Sequence, residues 1–141
     1  MPVIHPCLVQ PIPDLFLAGS ISGAPDWQST ACAALPDLTI ANPRSPTWDA
    51  DAPPSAVWRQ IRWERMNLKQ ARWISFWFAA GTDSPITFAE LGEFASSGRV
   101  IAVGVELGFS RYLNVQAICE DHNIPLFWDL DNLINHIRSH S

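Results

Sequence analysis

The sequence predicts a three-layer α/β fold: a doubly wound, flavodoxin-like domain around a mainly parallel, five-stranded sheet. Three observations predict it. Short apolar runs alternate along the chain with segments of helical character. Two of the runs, Trp73-Ile74-Ser75-Phe76-Trp77-Phe78 and Val100-Ile101-Ala102-Val103-Gly104-Val105, are nearly continuous in apolar residues, as strands buried on both faces are. The chain of 141 residues is 48% hydrophobic, enough for one core. With no internal repeat and no linker, residues 1–141 read as a single domain.

Each element has a local reason. Residues 14–18 form a short apolar strand that ends in the turn Gly19-Ser20-Ile21-Ser22-Gly23. A helix starts near Asp26, a suitable N-cap, and runs through Ala31 to Leu35. Residues 38–41 are a second strand, followed by a polar, proline-rich loop over 42–54. Loops of that length in a small domain are more often functional than idle. Ser55 is the expected cap of the next helix, which carries Val57, Ile61, Met66 and Leu68 to about Ala71. The third strand is the 73–78 run, and its apolar stretch continues to Gly81. Pro85 suits the first turn of a following helix, which ends at Ser97-Gly98. The 100–105 run is a fourth strand, residues 111–122 a helix, 124–128 a fifth strand and 131–140 a closing helix.

Composition excludes several classes of function. A formal charge of −5 argues against a nucleic-acid polymer as partner, although a few local donors would suffice for a small anion. Cys7, Cys32 and Cys119 are odd in number and widely spaced, as reduced packed thiols are. His5, His122, His136 and His140 form no ligand-spaced pair, so no metal site is expected. No apolar run has the roughly 20 residues of a membrane span, and the N-terminus lacks the pattern of a signal peptide. A soluble cytoplasmic domain without a membrane partner is the expectation.

The chemistry concentrates in Ser84-Pro85-Ile86-Thr87-Phe88-Ala89-Glu90-Leu91-Gly92. Glu90 falls one turn into a helix, near the carboxyl edge of a central strand, where ligands sit in open α/β sheets. It is the candidate nucleophile. The turn 19–23 offers backbone N–H groups and two serine hydroxyls to an anion. It is not the dinucleotide fingerprint, and a tight turn under the sheet accounts for it equally well. Arg44 could meet a phosphate, or anchor the long loop through Asp49 or Asp51. Of the seven tryptophans, Trp73 and Trp77 fit the core. Trp27, Trp48, Trp58 and Trp63 fall near candidate site residues, and Trp27 or Trp48 is expected to stack on a ligand ring.

Taken together, Phe16-Leu17-Ala18-Gly19-Ser20-Ile21, Asp26-Trp27, Asn42-Pro43-Arg44, Trp63-Glu64, Pro85-Ile86-Thr87 and Glu90-Leu91-Gly92 lie in order at successive strand ends. In this the chain resembles the nucleoside 2-deoxyribosyltransferase-like family, from about Leu15 to Trp128. The resemblance implies an enzyme without a cofactor that acts on a nucleoside or nucleoside 5′-monophosphate, by transfer or by hydrolysis. It implies Glu90 as nucleophile and Glu64 as the residue that orients it or shares its proton, with a helix-surface ion pair as the alternative for Glu64. Asp83 or Asp26 would face the leaving base, and Gly19 and Ser20 would line the sugar or phosphate pocket. Asn114 would reach a neighbouring subunit's site, in a homodimer or larger assembly. Phe16 stands where many members carry a tyrosine, which removes a polar partner near the sugar. A second Glu-Leu-Gly, at Glu106, lacks the helix-start signal of Pro85 and is set aside. Two other classes compete with the enzyme: a non-catalytic nucleotide-sensing module using the same cleft, and a partner-binding domain with a tryptophan interface.

Overall fold

The computed structural model describes residues 3–4, 11–44 and 51–141. Along the chain run β1 (Val3–Ile4), β2 (Leu15–Gly19), α1 (Trp27–Ala34), β3 (Ile40–Ala41) and α2 (Pro54–Gln70). They are followed by β4 (Trp73–Phe78), α3 (Pro85–Phe94), β5 (Val100–Val105), α4 (Tyr112–Asp121), β6 (Leu126–Phe127) and α5 (Leu130–His140). The strands form one sheet in the order β1-β3-β2-β4-β5-β6, with every pairing parallel. All five expected strands are present. The two-residue β1 adds a sixth at the edge, too short to leave an apolar pattern in the sequence.

Alternation along the strands sends side chains to two apolar layers. Phe16, Ile74, Phe76, Phe78, Val103 and Val105 pack against Trp63 and Leu68 of α2, Leu91 and Phe94 of α3, and Val115 of α4. On the opposite face, Leu15, Leu17, Trp77 and Ala102 meet Trp27 and Ala31 of α1 and Leu133, Ile134 and Ile137 of α5. Helices therefore cover both faces, the doubly wound arrangement expected from the sequence. Trp77 pairs in register with Gly19 on one side and Gly104 on the other. A Cβ at Gly104 would lie 2.5 Å from the Trp77 ring, and one at Gly19 would lie 2.6 Å from the ring of Trp27. The two bare backbone positions are what let the indoles approach the sheet so closely.

Helix boundaries follow their signals in most places. Asp26 caps α1, its carboxylate accepting from the Ser29 N–H at 3.1 Å and the Ser29 hydroxyl at 2.7 Å. Helix α3 ends earlier than its expected stop at Ser97-Gly98: Phe94 is its last residue and Ala95 its C-cap, and Gly98, with φ of 77°, falls in the turn that follows. Helix α2 departs from expectation. Pro53, not Ser55, occupies its N-cap, and Pro54 takes the first turn. Val57, Ile61 and Met66 are exposed, while Trp63, Asn67 and Leu68 are buried. Residues 60, 64 and 67 share one helix face. In α2 that face carries Gln60, Glu64 and Asn67 inward, so an apolar pattern alone misplaces it.

No described helix is long and apolar enough to cross a membrane. Cys32 and Cys119 are unpaired, and burial pushes their thiols up to about 11 and about 12. Such thiols are inert as nucleophiles. Cys7 and His5 lie outside the described residues.

Candidate active site

Strand order reverses between β2 and β4, and the crevice outside their carboxyl ends is where such sheets bind ligands. A cleft of about 510 Å³ opens there. The turn after β2 forms one wall, and the loop from Gly81 to Ser84 with the first turns of α3 forms the other. Glu64 from α2 and Pro43 after β3 close the side. A volume of this size suits a small organic ligand.

Two carboxylates dominate the interior. Glu90 is only 8% exposed. Burial raises its carboxyl to about 8; the charge of Glu64 adds to the rise, Arg65 opposes it, and Glu93 adds a little. Burial also raises Glu64, against a hydrogen bond from Gln60. The pair thus holds a proton at neutral pH that separate exposed glutamates would have lost. Gln60 orients Glu64: its side-chain amide donates to Glu64 Oε1 at 3.1 Å and to the Pro43 carbonyl at 3.0 Å. The neighbouring Arg65 points elsewhere and grips Glu93 in a two-pronged ion pair at 2.7 and 2.6 Å. Glu64 is therefore a cleft residue, not a member of a helix-surface ion pair.

Polar groups next to this pair form a hydroxyl chain. Thr82 donates to the Ala79 carbonyl at 2.8 Å, Thr82 and Ser84 hydroxyls are 2.8 Å apart, and Ser84 and Ser20 hydroxyls are 2.6 Å apart. Ser84 is 2% exposed and sits in the left-handed region, φ 46° and ψ 49°, immediately before Pro85. A serine held there stores backbone strain, which clusters at functional sites.

Of the residues singled out from sequence, Phe16, Gly19, Ser20, Glu64, Asp83 and Glu90 all line this cleft. Four do not. Trp27 is 4% exposed and belongs to the apolar layer beneath Gly19, so it supports the turn from below and presents no ring to the cleft. Asp26 is committed to capping α1 and to an ion pair with Arg44 at 3.3 Å. Arg44 clips the first loop: its guanidinium donates to Gln28 and to the carbonyls of Ile21, Ala24 and Pro25. Those contacts tie the start of the 42–54 loop to the turn after β2. Asn114 is exposed on α4, outside the cleft of its own chain. Trp48 and Asp49 lie outside the described residues. Glu106 of the second Glu-Leu-Gly accepts from the Ala80 N–H at 2.8 Å and braces two loops. Sequence reasoning missed Gln60, Thr82 and Ser84. The spacing of Gln60 from Glu64, one helical turn, was a usable signal. Among the described residues no group of three His, Cys, Asp or Glu side chains is placed to hold a metal ion.

Fold and site together define an α/β domain with a two-carboxylate cleft at its topological switch point. The family described as nucleoside 2-deoxyribosyltransferase like matches residues 12–109, well over half of the chain, and the chain belongs to that family. The match covers β2 through β5, and so every element that lines the cleft. No curated protein matches the sequence.

Proposed function

We propose that the protein cleaves or transfers at the N-glycosidic bond of a (deoxy)nucleoside or nucleoside 5′-monophosphate. A Glu90 oxygen attacks the anomeric carbon as the bond to the base breaks, and the electron pair leaves with the base. The departing base takes up a proton from water, and Asp83 is the candidate to face that base in the cleft. Water or a second base then displaces Glu90 from the sugar, so that two displacements retain the anomeric configuration. Glu64 shares the proton of Glu90 and sets when it is ionised. The observation that carries this reading is a pair of carboxylates, the buried Glu90 and the half-buried Glu64, opening into one cleft at the sheet's switch point. A panel of nucleosides and 5′-monophosphates, with and without free base, tests it by chromatography of released base. Tight binding without release from any substrate would favour a sensing module.

The electrostatics predict the pH profile. If only ionised Glu90 attacks, kcat/KM rises with pH and levels off above the pKa of about 8. Glu64→Gln removes the neighbouring charge, so the rising limb moves to lower pH. A limb that stays in place would disconnect Glu64 from the ionisation of Glu90.

The proposed assembly is a homodimer or larger. It is supported by the exposed Val57, Trp58 and Ile61 on α2 and Tyr112 and Leu113 on α4, more apolar surface than one small domain needs to show. Light scattering at micromolar concentration should return at least twice the monomer mass. A monomer would remove Asn114 from the site. A cytoplasmic location is proposed with it, on the unpaired thiols of Cys32 and Cys119.

A further inference from the structure

Gln60 stands one helical turn before Glu64 on α2 and is half-buried. Its contacts fix which way its amide points. The Pro43 carbonyl can only accept, so the group 3.0 Å from it is the Gln60 NH2 and not the amide oxygen. The same nitrogen donates to Glu64 Oε1 at 3.1 Å. Both N–H groups of the amide are thus spent, one on a carbonyl whose charge never changes and one on a carboxyl whose charge can. Arg44, the residue after Pro43, is bound to the carbonyls of Ile21, Ala24 and Pro25. Pro43 is therefore an anchor, and it aims the second N–H of Gln60 at Glu64.

The two carboxyls of the cleft differ in their surroundings. A donated N–H holds an ionised carboxylate more strongly than a neutral acid, and Glu64 has that bond from Gln60. The forces on Glu90 are burial and the charges of Glu64, Arg65 and Glu93, with no hydrogen bond among them. Arg65 and Glu93 act on Glu90 in opposite senses and are tied to each other in their own ion pair. Asp83 lines the cleft from the loop before α3. The turn after β2 and strand β4 bring no titratable side chain.

We propose that Gln60 is a positioning residue that decides which carboxyl of the pair carries the charge, keeping Glu64 ionised and leaving the shared proton on Glu90. Gln60 occupies only Oε1 of Glu64, so Oε2 is the oxygen that can receive the proton when Glu90 ionises. The effect on reaction rate rests on the reading of Glu90 as nucleophile; the effect on the two titrations does not.

The test follows each carboxyl by NMR in the full chain with isotope-labelled glutamate, the two signals being assigned with Glu64→Gln and Glu90→Gln. In the wild type Glu64 should ionise at lower pH than Glu90, and the reverse order overturns the proposal. Gln60→Met keeps the length of the side chain and removes both donors. Glu64 should then titrate about one pH unit higher and Glu90 about half a unit lower. A cleft that had only loosened would admit water and lower both, so a shift in the same direction, or none, overturns the proposal. In the double variant Gln60→Met with Glu64→Gln, Glu90 should titrate as in Glu64→Gln alone; a further shift overturns it as well. Should Gln60→Met fail to fold, the wild-type order decides. Base release supplies the separate check on the chemistry: the rising limb of kcat/KM should move to lower pH in Gln60→Met, with the Glu90 signal. A limb that stays while the signals move, or no release at all, sinks the glycosyl reading and leaves the titrations to decide the role of Gln60.

Discussion

Glu90→Gln should lower base release by a factor on the order of 10³ or more, and the protein should stay folded and continue to bind nucleosides. Glutamine keeps the shape of the side chain but cannot form a glycosyl ester. The fold tolerates the change because burying the ionised carboxylate is itself unfavourable, as its rise from 4.5 to about 8 records. The same rise has a stability consequence with a definite sign. In the folded protein Glu90 holds its proton up to about 8, whereas the unfolded chain releases it near 4.5. The folded state binds more protons between those values, so wild-type stability falls as pH rises from 4.5 to 8 and levels off above. Glu90→Gln should lack that loss in denaturant unfolding across the window. A variant that keeps wild-type turnover would refute the mechanism, and one that keeps the wild-type pH dependence of stability would refute the buried titration.

Phe78→Ala should have the largest effect on stability. Phe78 ends β4 with no exposed surface, its ring centre 5.1 Å from that of Phe88 on α3 and 5.2 Å from that of Phe109. Phe88 and Phe109 also meet each other at 5.8 Å, so three rings form the floor on which α3 rests. Deleting the central ring leaves a cavity that its neighbours cannot fill without moving the helix, at a cost of about 3–5 kcal/mol. Against a typical domain stability of about 5–15 kcal/mol, that is a large share. The melting temperature should fall by roughly 10–20 °C. Because Glu90 stands on the tilted helix, activity should fall even where the protein remains folded. A loss under about 1 kcal/mol would show that the cluster does not support α3.

The parts of this molecule legible in its sequence are those set by local pattern. Strands β4 and β5 were read to the residue, because a run with no polar alternation can only be buried on both faces. Glu90 was legible for a related reason: a buried strand, a loop and Pro85 at a helix start place it at the sheet's carboxyl edge. What escaped depends on tertiary partners. Ser20 and Ser84 are 64 residues apart, and nothing local announces that their hydroxyls meet. Arg44 binds backbone carbonyls, which leave no residue-type signature. Trp27 looked like a ligand wall beside Asp26, and only its close approach to the bare backbone of Gly19 explains its place in the core. The inward face of α2 left no apolar pattern, because Gln60 and Glu64 stand where packing alone would put apolar side chains.

The central claim is that a Glu90 oxygen forms the bond to the sugar. Intact-protein mass spectrometry of samples quenched in acid during turnover, followed by peptide mapping, tests this most directly. The expected result is a mass increase of one sugar residue on the peptide that contains Glu90, absent from Glu90→Gln. Base release with no adduct on that peptide, at a rate Glu90→Gln leaves unchanged, would contradict it.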